Sequence, residues 1–187
     1  MLIYHGGPFS DSRIAVLIPD VIEGQEDQND ELLAEWPFVD CGVPVWHLSE
    51  WLDRLLRLTK SFGRIALGSS GAYRSPGSLV WWDRMRQVME VVCDHHGFPT
   101  VKLHGLRMLA PEILAEFPFA SGDSTSICRN VNLDCKWRGT YQPATRLGRA
   151  LALAERIEST SVAKRWNGFT RNGEMGYTDR QLSLVPY

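Results

Sequence analysis

Residues 117–126 read Phe-Pro-Phe-Ala-Ser-Gly-Asp-Ser-Thr-Ser, an apolar run that turns into a corner of small residues around one carboxylate, Asp123. Ser121, Ser124, Thr125 and Ser126 surround that carboxylate with hydroxyls and little bulk. A carboxylate at the exit of a buried strand, with room cleared around it, is how a β/α fold presents a nucleophile or a base. The plainer alternative is that Asp123 caps a following helix through the N–H groups two and three residues further on.

Four other apolar runs end in the same manner. Asp20 follows the run ending at Pro19, and His47 follows Val43-Pro44-Val45-Trp46. Gly68-Ser69-Ser70-Gly71 follows Arg64-Ile65-Ala66-Leu67, and His104-Gly105 follows Thr100-Val101-Lys102-Leu103. Each has an ordinary reading by itself: Pro-Asp is turn chemistry, and a lone histidine can be a satisfied core residue. The Gly-Ser-Ser-Gly segment is either a plain strand–helix turn or a phosphate cradle, and no Gly-Lys-Ser/Thr follows it. Together the five endings point to one site, because parallel β/α folds bind ligands at the C-terminal edge of their strands.

The elements that must position these residues are legible as alternation. Six short apolar runs, at 2–4, 14–18, 43–46, 64–67, 100–103 and 117–119, read as strands buried on both faces and therefore parallel. Helical spacing fills the gaps. It covers 30–36, then 51–60 with Ser49 as cap and Trp51, Leu52, Leu55, Leu56 and Leu58 as its apolar stripe. It returns at 79–95, closed by Gly97, at 112–117 behind Pro111, and at 144–158 behind Pro143. In the last of these Leu147, Leu151, Ala154 and Ile157 share one side. The order is βαβα, so the expectation is an α/β domain over residues 1–158. Residues 159–187 show no sustained periodicity and read as an irregular C-terminal extension.

Composition bounds the rest. The 187 residues are 44% hydrophobic and 22% charged, an ordinary single-domain globular composition. A formal net charge of −2 argues against a uniformly basic nucleic-acid binder and leaves room for a local basic stripe. No apolar run reaches the roughly 18–20 residues that span a bilayer, and no secretory pattern opens the chain, so no membrane and a cytoplasmic location are expected. Cys41, Cys93, Cys128 and Cys135 contain no Cys-x-x-Cys pair, so neither a metal nor another cofactor is expected.

Three segments, Ile65-Ala66-Leu67-Gly68-Ser69-Ser70-Gly71-Ala72, Lys102-Leu103-His104-Gly105-Leu106 and Phe119-Ala120-Ser121-Gly122-Asp123-Ser124-Thr125-Ser126, resemble the last three strands of tRNA-guanine transglycosylases. The likeness is to the bacteriophage branch, which includes relatives that place 7-deazaguanines in DNA. Ile18-Pro19-Asp20-Val21-Ile22-Glu23-Gly24 and Pro44-Val45-Trp46-His47 resemble the two preceding strands, so the resemblance covers roughly residues 14–158. It implies a modified (β/α)₈ barrel that exchanges guanine for a 7-deazaguanine in tRNA or DNA without cutting the backbone. Asp123 then matches the nucleophile at ribose C1′, and Asp20 the carboxylate that pairs with the guanine edge. His47 matches a side chain against the base carbonyl, Gly68 and Ser69, with Ser70 beside them, the loop under the base, and Gly105 a small residue that leaves room for the ring. The implied partners are the nucleic acid and the free 7-deazaguanine base, in the host cytoplasm if the chain is phage-encoded.

The chemistry is consistent with these roles. Base displacement at C1′ passes through an oxocarbenium-like state that a close carboxylate stabilises and traps. A guanine edge offers N–H donors to a carboxylate, and a base must leave its stack to be reached.

Two family features are missing. The early-strand Asp-Ser-Gly-Gly-Phe-like segment has no equivalent; His5-Gly6-Gly7-Pro8-Phe9-Ser10 lacks its aspartate, so His5 or His104 inherits the proton-moving role. The C-terminal Cys/His zinc cluster is also lacking. With six strands in place of eight, the expected architecture is a shortened TIM-like barrel with exposed edges. Trp81, Trp82 and residues 159–187 are candidates to cover those edges, within the chain or across a homodimer. The rival function is a non-catalytic protein of this fold that binds a purine base or nucleotide or blocks a host factor.

Overall fold

A computed structural model describes residues 3–4, 15–22, 24–38, 41–125, 127, 131–132, 137 and 140–168. Its strands are β1 (Ile3–Tyr4), β2 (Ala15–Leu17), β3 (Gly42–Val43), β4 (Val45–His47), β5 (Arg64–Gly68), β6 (Lys102–Leu106) and β7 (Ser121–Gly122). The helices are α1 (Glu26–Glu35), α2 (Leu52–Ser61), α3 (Leu79–Val92), α4 (Pro111–Glu116) and α5 (Arg146–Glu158). The architecture is mixed α/β with mainly parallel strands in two sheets, ordered β1-β2-β3 and β4-β5-β6-β7.

The break between the sheets falls at Pro44, which has no N–H to give to a neighbour. Its carbonyl still accepts Ala66 N–H at 2.9 Å, so β3 and β4 are consecutive pieces of one extended run. β2 runs parallel to β3, β4 to β5, β5 to β6 and β6 to β7. β1 departs from the expected all-parallel arrangement: Ile3 lies opposite Val16 and Tyr4 opposite Ala15 in an antiparallel pair.

The last strand is also displaced from its expected place. Phe117 closes α4 and Pro118 cannot donate, so pairing begins only at Ala120, whose N–H reaches Leu103 O at 2.9 Å. The Phe-Pro-Phe run supplies core packing instead, with Phe117 and Phe119 both buried.

The main core lies between one face of β4–β6 and helices α2–α4. It contains Trp46, Ile65, Leu67 and Leu103 from the strands, Leu55 and Leu58 from α2, and Trp81, Met85, Val88, Met89 and Val92 from α3. Trp81 and Trp82 both stack edgewise or tilted against Phe117, so within this chain they are core residues rather than an open surface. α2 begins without help from Ser49, whose hydroxyl instead bonds to Ser70; its N-cap is Trp51, and the Trp51 N–H is held by Glu26. Pro111 opens α4 as expected.

α5 starts at Arg146, two residues later than Pro143 suggests, because Thr145 accepts from Gly148 N–H. None of its residues is buried, and Leu147 and Leu151 remain exposed. The described part of the C-terminal extension packs on the domain: Trp166 belongs to the main core, and its N–H reaches Gly97 O at 2.8 Å. No described helix is long and apolar enough to cross a membrane.

Candidate functional site

Side chains alternate across a sheet, so register decides which residues share a face. Val45, Ala66, His104 and Ser121 lie on one rung across β4–β7. Two residues further along, on the same face, come His47, Gly68 and Leu106. Asp123 follows Gly122, the partner of Gly105, and its N–H donates to Gly105 O at 3.0 Å, which puts it on that second rung. This face is opposite the helix-packed core. Its lower part is apolar, with Ala15, Val43, Val45 and Ala66 packed together beside Leu17 and Leu106.

Asp20 reaches the site from the loop after β2. Its Oδ2 lies 2.6 Å from His47 Nε2, with the imidazole buried and the carboxylate about a quarter exposed. An ionised carboxylate only accepts, so Nε2 carries the proton in this contact. Asp20 keeps acceptor positions for a second donor, since a carboxylate has about four lone-pair sites. The other imidazole nitrogen, Nδ1, is buried against Gly68 and has no hydrogen-bond partner among the described residues. A Cβ at position 68 would stand 2.7 Å from that nitrogen, so the glycine is required for the histidine to sit where it does.

Asp123 has two distinguishable oxygens. Oδ1 accepts the Arg107 N–H at 2.8 Å, and Oδ2 lies 3.6 Å from His104 Nε2, an ion-pair distance. His104 is fixed from its other side by Ser121, with Nδ1 and Oγ 2.8 Å apart. The His104 imidazole, most of all, and the Arg107 N–H hold the Asp123 carboxyl below its ordinary range, although partial burial pushes it up. Asp123 is therefore ionised at neutral pH. At 3.6 Å its Oδ2 is too far from His104 Nε2 for a hydrogen bond, and that buried nitrogen has no hydrogen-bond partner among the described residues. Arg107 presents its N–H from a left-handed backbone, φ +63°, unusual for a residue with a side chain.

The remaining expected site residues are placed differently. Ser69 Oγ accepts from Trp81 Nε1 at 3.0 Å, which ties the end of β5 to α3, and Ser70 Oγ is paired with Ser49 Oγ at 2.7 Å, which ties the segments after β5 and β4 to each other. Gly105 shows its open side to Met108 and Phe119 in the main core, where a Cβ would approach Met108 to 2.8 Å. Its smallness is thus set by close packing against Met108 and Phe119 in the segments flanking α4, on the sheet face opposite His47 and His104. Its carbonyl nevertheless anchors Asp123. His5, the other proton-moving candidate, lies outside the described residues, as do Cys128 and Cys135. Cys93 is buried, and burial, chiefly, pushes its thiol up to about 12. Among the described residues no group of three or more His, Cys, Asp or Glu side chains could hold a metal ion.

A cavity of about 30 Å³ lies under the site, lined by Ala15, Leu17 and Val43 on one side and His104 and Ser121 on the other. It has room for a water but not for a base, so a purine would have to sit at the open edge above it. A wider groove of about 930 Å³ runs along the opposite, N-terminal strand edge past Gly63, Arg64, Lys102 and Ala120. Asp20, His47 and Asp123 are not among the residues that line that groove.

Sequence reasoning did not single out Arg107, Asn29 or Glu50. Arg107 carries no local signal, because its role is a backbone one. Comparison with family models, with curated proteins and with solved structures gives no match.

Proposed function

We propose that this chain exchanges a guanine for a 7-deazaguanine at C1′ of a nucleotide in tRNA or DNA, on a shortened TIM-like (β/α) barrel. The observation that carries the reading is Asp123: an ionised carboxylate with one oxygen pinned by Arg107 N–H, on the same sheet face and edge as the Asp20–His47 pair. The barrel reading is supported by parallel strands that succeed one another in sequence order. It is further supported by residues of β2 and β7 lining one cavity, which requires the series to curl.

In this mechanism Asp123 attacks C1′ as the bond to the departing base breaks, and the electron pair leaves with the base, which takes up a proton. The incoming base loses a proton and displaces the carboxylate. His104, whose Nε2 lies 3.6 Å from Asp123 Oδ2, moves that proton. Asp20 accepts the N–H donors of the base edge, and His47 holds Asp20 in position.

The absent early-strand aspartate favours a second reading, a base-binding protein without turnover. One experiment separates them. Labelled guanine is offered to the protein with tRNA and with DNA, and covalent protein–nucleic acid adduct and base exchange are measured beside Asp123→Asn. Exchange or adduct lost in Asp123→Asn supports the enzyme; base binding with neither supports the second reading.

A further inference from the structure

We propose that Asn29 and Glu50 are positioning residues for the Asp20–His47 pair. Asp20 comes from the loop after β2 and His47 from the end of β4, and they meet through a single contact, so something must hold both backbones. Asn29, in the first half of α1 and 3% exposed, clamps the residue next to Asp20: its Oδ1 accepts Val21 N–H at 2.8 Å and its Nδ2 points to Val21 O at 3.4 Å. The same Nδ2 donates to Glu50 Oε1 at 3.1 Å. Glu50 Oε2 then accepts the His47 backbone N–H at 3.1 Å and Arg54 Nη1 at 2.8 Å.

One amide and one carboxylate thus form a closed path from the Asp20 strand end to the His47 strand end. The Arg54 guanidinium, 1% exposed, neutralises the buried Glu50 and also reaches Val45 O and Asp30. A buried, fully paired network of this type is stiff, since each lost partner leaves a costly unsatisfied group. The geometry explains a charged network in an otherwise apolar layer: it fixes the spacing of two functional residues. Neither Asn29 nor Glu50 touches the exposed side of Asp20, so their action is through position.

This role rests on the Asp20–His47 pair being the base-recognition pair, and the test separates the two. In protein labelled with ¹⁵N-histidine, the His47 Nε2–H held by Asp20 should give a solvent-protected signal, identified by its loss in Asp20→Ala. Asn29→Asp sets two carboxylates against each other and should speed exchange of that proton by roughly tenfold, the scale of one lost hydrogen bond. The double variant Asn29→Asp/Glu50→Gln reverses the polarity of the Asn29–Glu50 bond, keeps the net charge and should restore protection.

Leu58→Ala, a core truncation in α2 away from the pair, should lower stability and leave the signal. A signal unchanged in Asn29→Asp, or not recovered in the double variant, overturns the proposal. Should Asn29→Asp fail to fold, Glu50→Gln alone supplies the same comparison. Affinity for free 7-deazaguanine is measured in parallel. Loss and recovery of protection without change in affinity would uphold the positioning role and remove base recognition from the pair.

Discussion

Arg107 donates its backbone N–H to Asp123 Oδ1 at 2.8 Å from a left-handed conformation, φ +63°. The turn after β6 is thereby bent to serve the residue after β7. A left-handed non-glycine residue costs about 1–3 kcal/mol, so the contact has to offset that strain.

Substitutions at position 107 test this. Arg107→Gly removes the strain, keeps the N–H, and adds unfolded-state entropy of roughly 0.5–1 kcal/mol, so stability should be unchanged or rise by up to about 2 kcal/mol. Arg107→Pro removes the donor and cannot adopt the angle, and should cost about 3 kcal/mol or more. Denaturant unfolding of the three proteins measures both.

Asp123→Asn should abolish adduct formation and lower base exchange by roughly ten-thousand-fold or more, the scale for losing a nucleophile. The partly exposed site and the retained amide oxygen limit the stability change to about 1 kcal/mol. A variant that is much less stable but still exchanges bases would assign Asp123 to structure.

The acid side of the stability profile should carry the Asp123 signature. Its carboxyl is held below the ordinary value of 3.8, so its contribution is complete above that pH and is lost as pH falls through the lower folded value. The stability difference between the parent and Asp123→Asn should therefore be fully present at about pH 4 and shrink as pH falls below it. Urea unfolding between about pH 4 and 2 reads the difference. A gap that widens as pH falls below about 4 would contradict the sign.

Gly68→Ala should disturb His47 more than the strand. The added Cβ would stand 2.7 Å from Nδ1 and 3.1 Å from Cε1, so the ring must move off Asp20. Overpacking of this kind costs about 1–3 kcal/mol. Thermal unfolding should show that loss, and the protected His47 N–H signal should weaken. Gly63→Ala, where an added Cβ meets nothing within 4 Å, is the control.

The chain order of strand endings, Asp20, His47, Gly68, His104 and Asp123, was readable because an apolar run closed by a polar or glycine residue is a local pattern. Pro111 at the head of α4 was readable for the same reason, a fixed φ and a missing donor acting within one turn. Even the misplaced Gly105 had a local clue: adjacent residues in a strand point to opposite faces, so His104 and Gly105 could not both offer side-chain space to one site.

Tertiary structure alone decided the rest. Pairing of the last strand begins at Ala120 rather than Phe117, a consequence of where Leu103 can accept. The meeting of Asp20 with His47, the bend at Arg107 and the Asn29–Glu50 bridge all join residues at least 16 positions apart. Types and spacing along the chain fix which side chains are available and on which strand end they fall. Which of them touch depends on register and on the curl of the sheet, and those are set by packing across the whole domain.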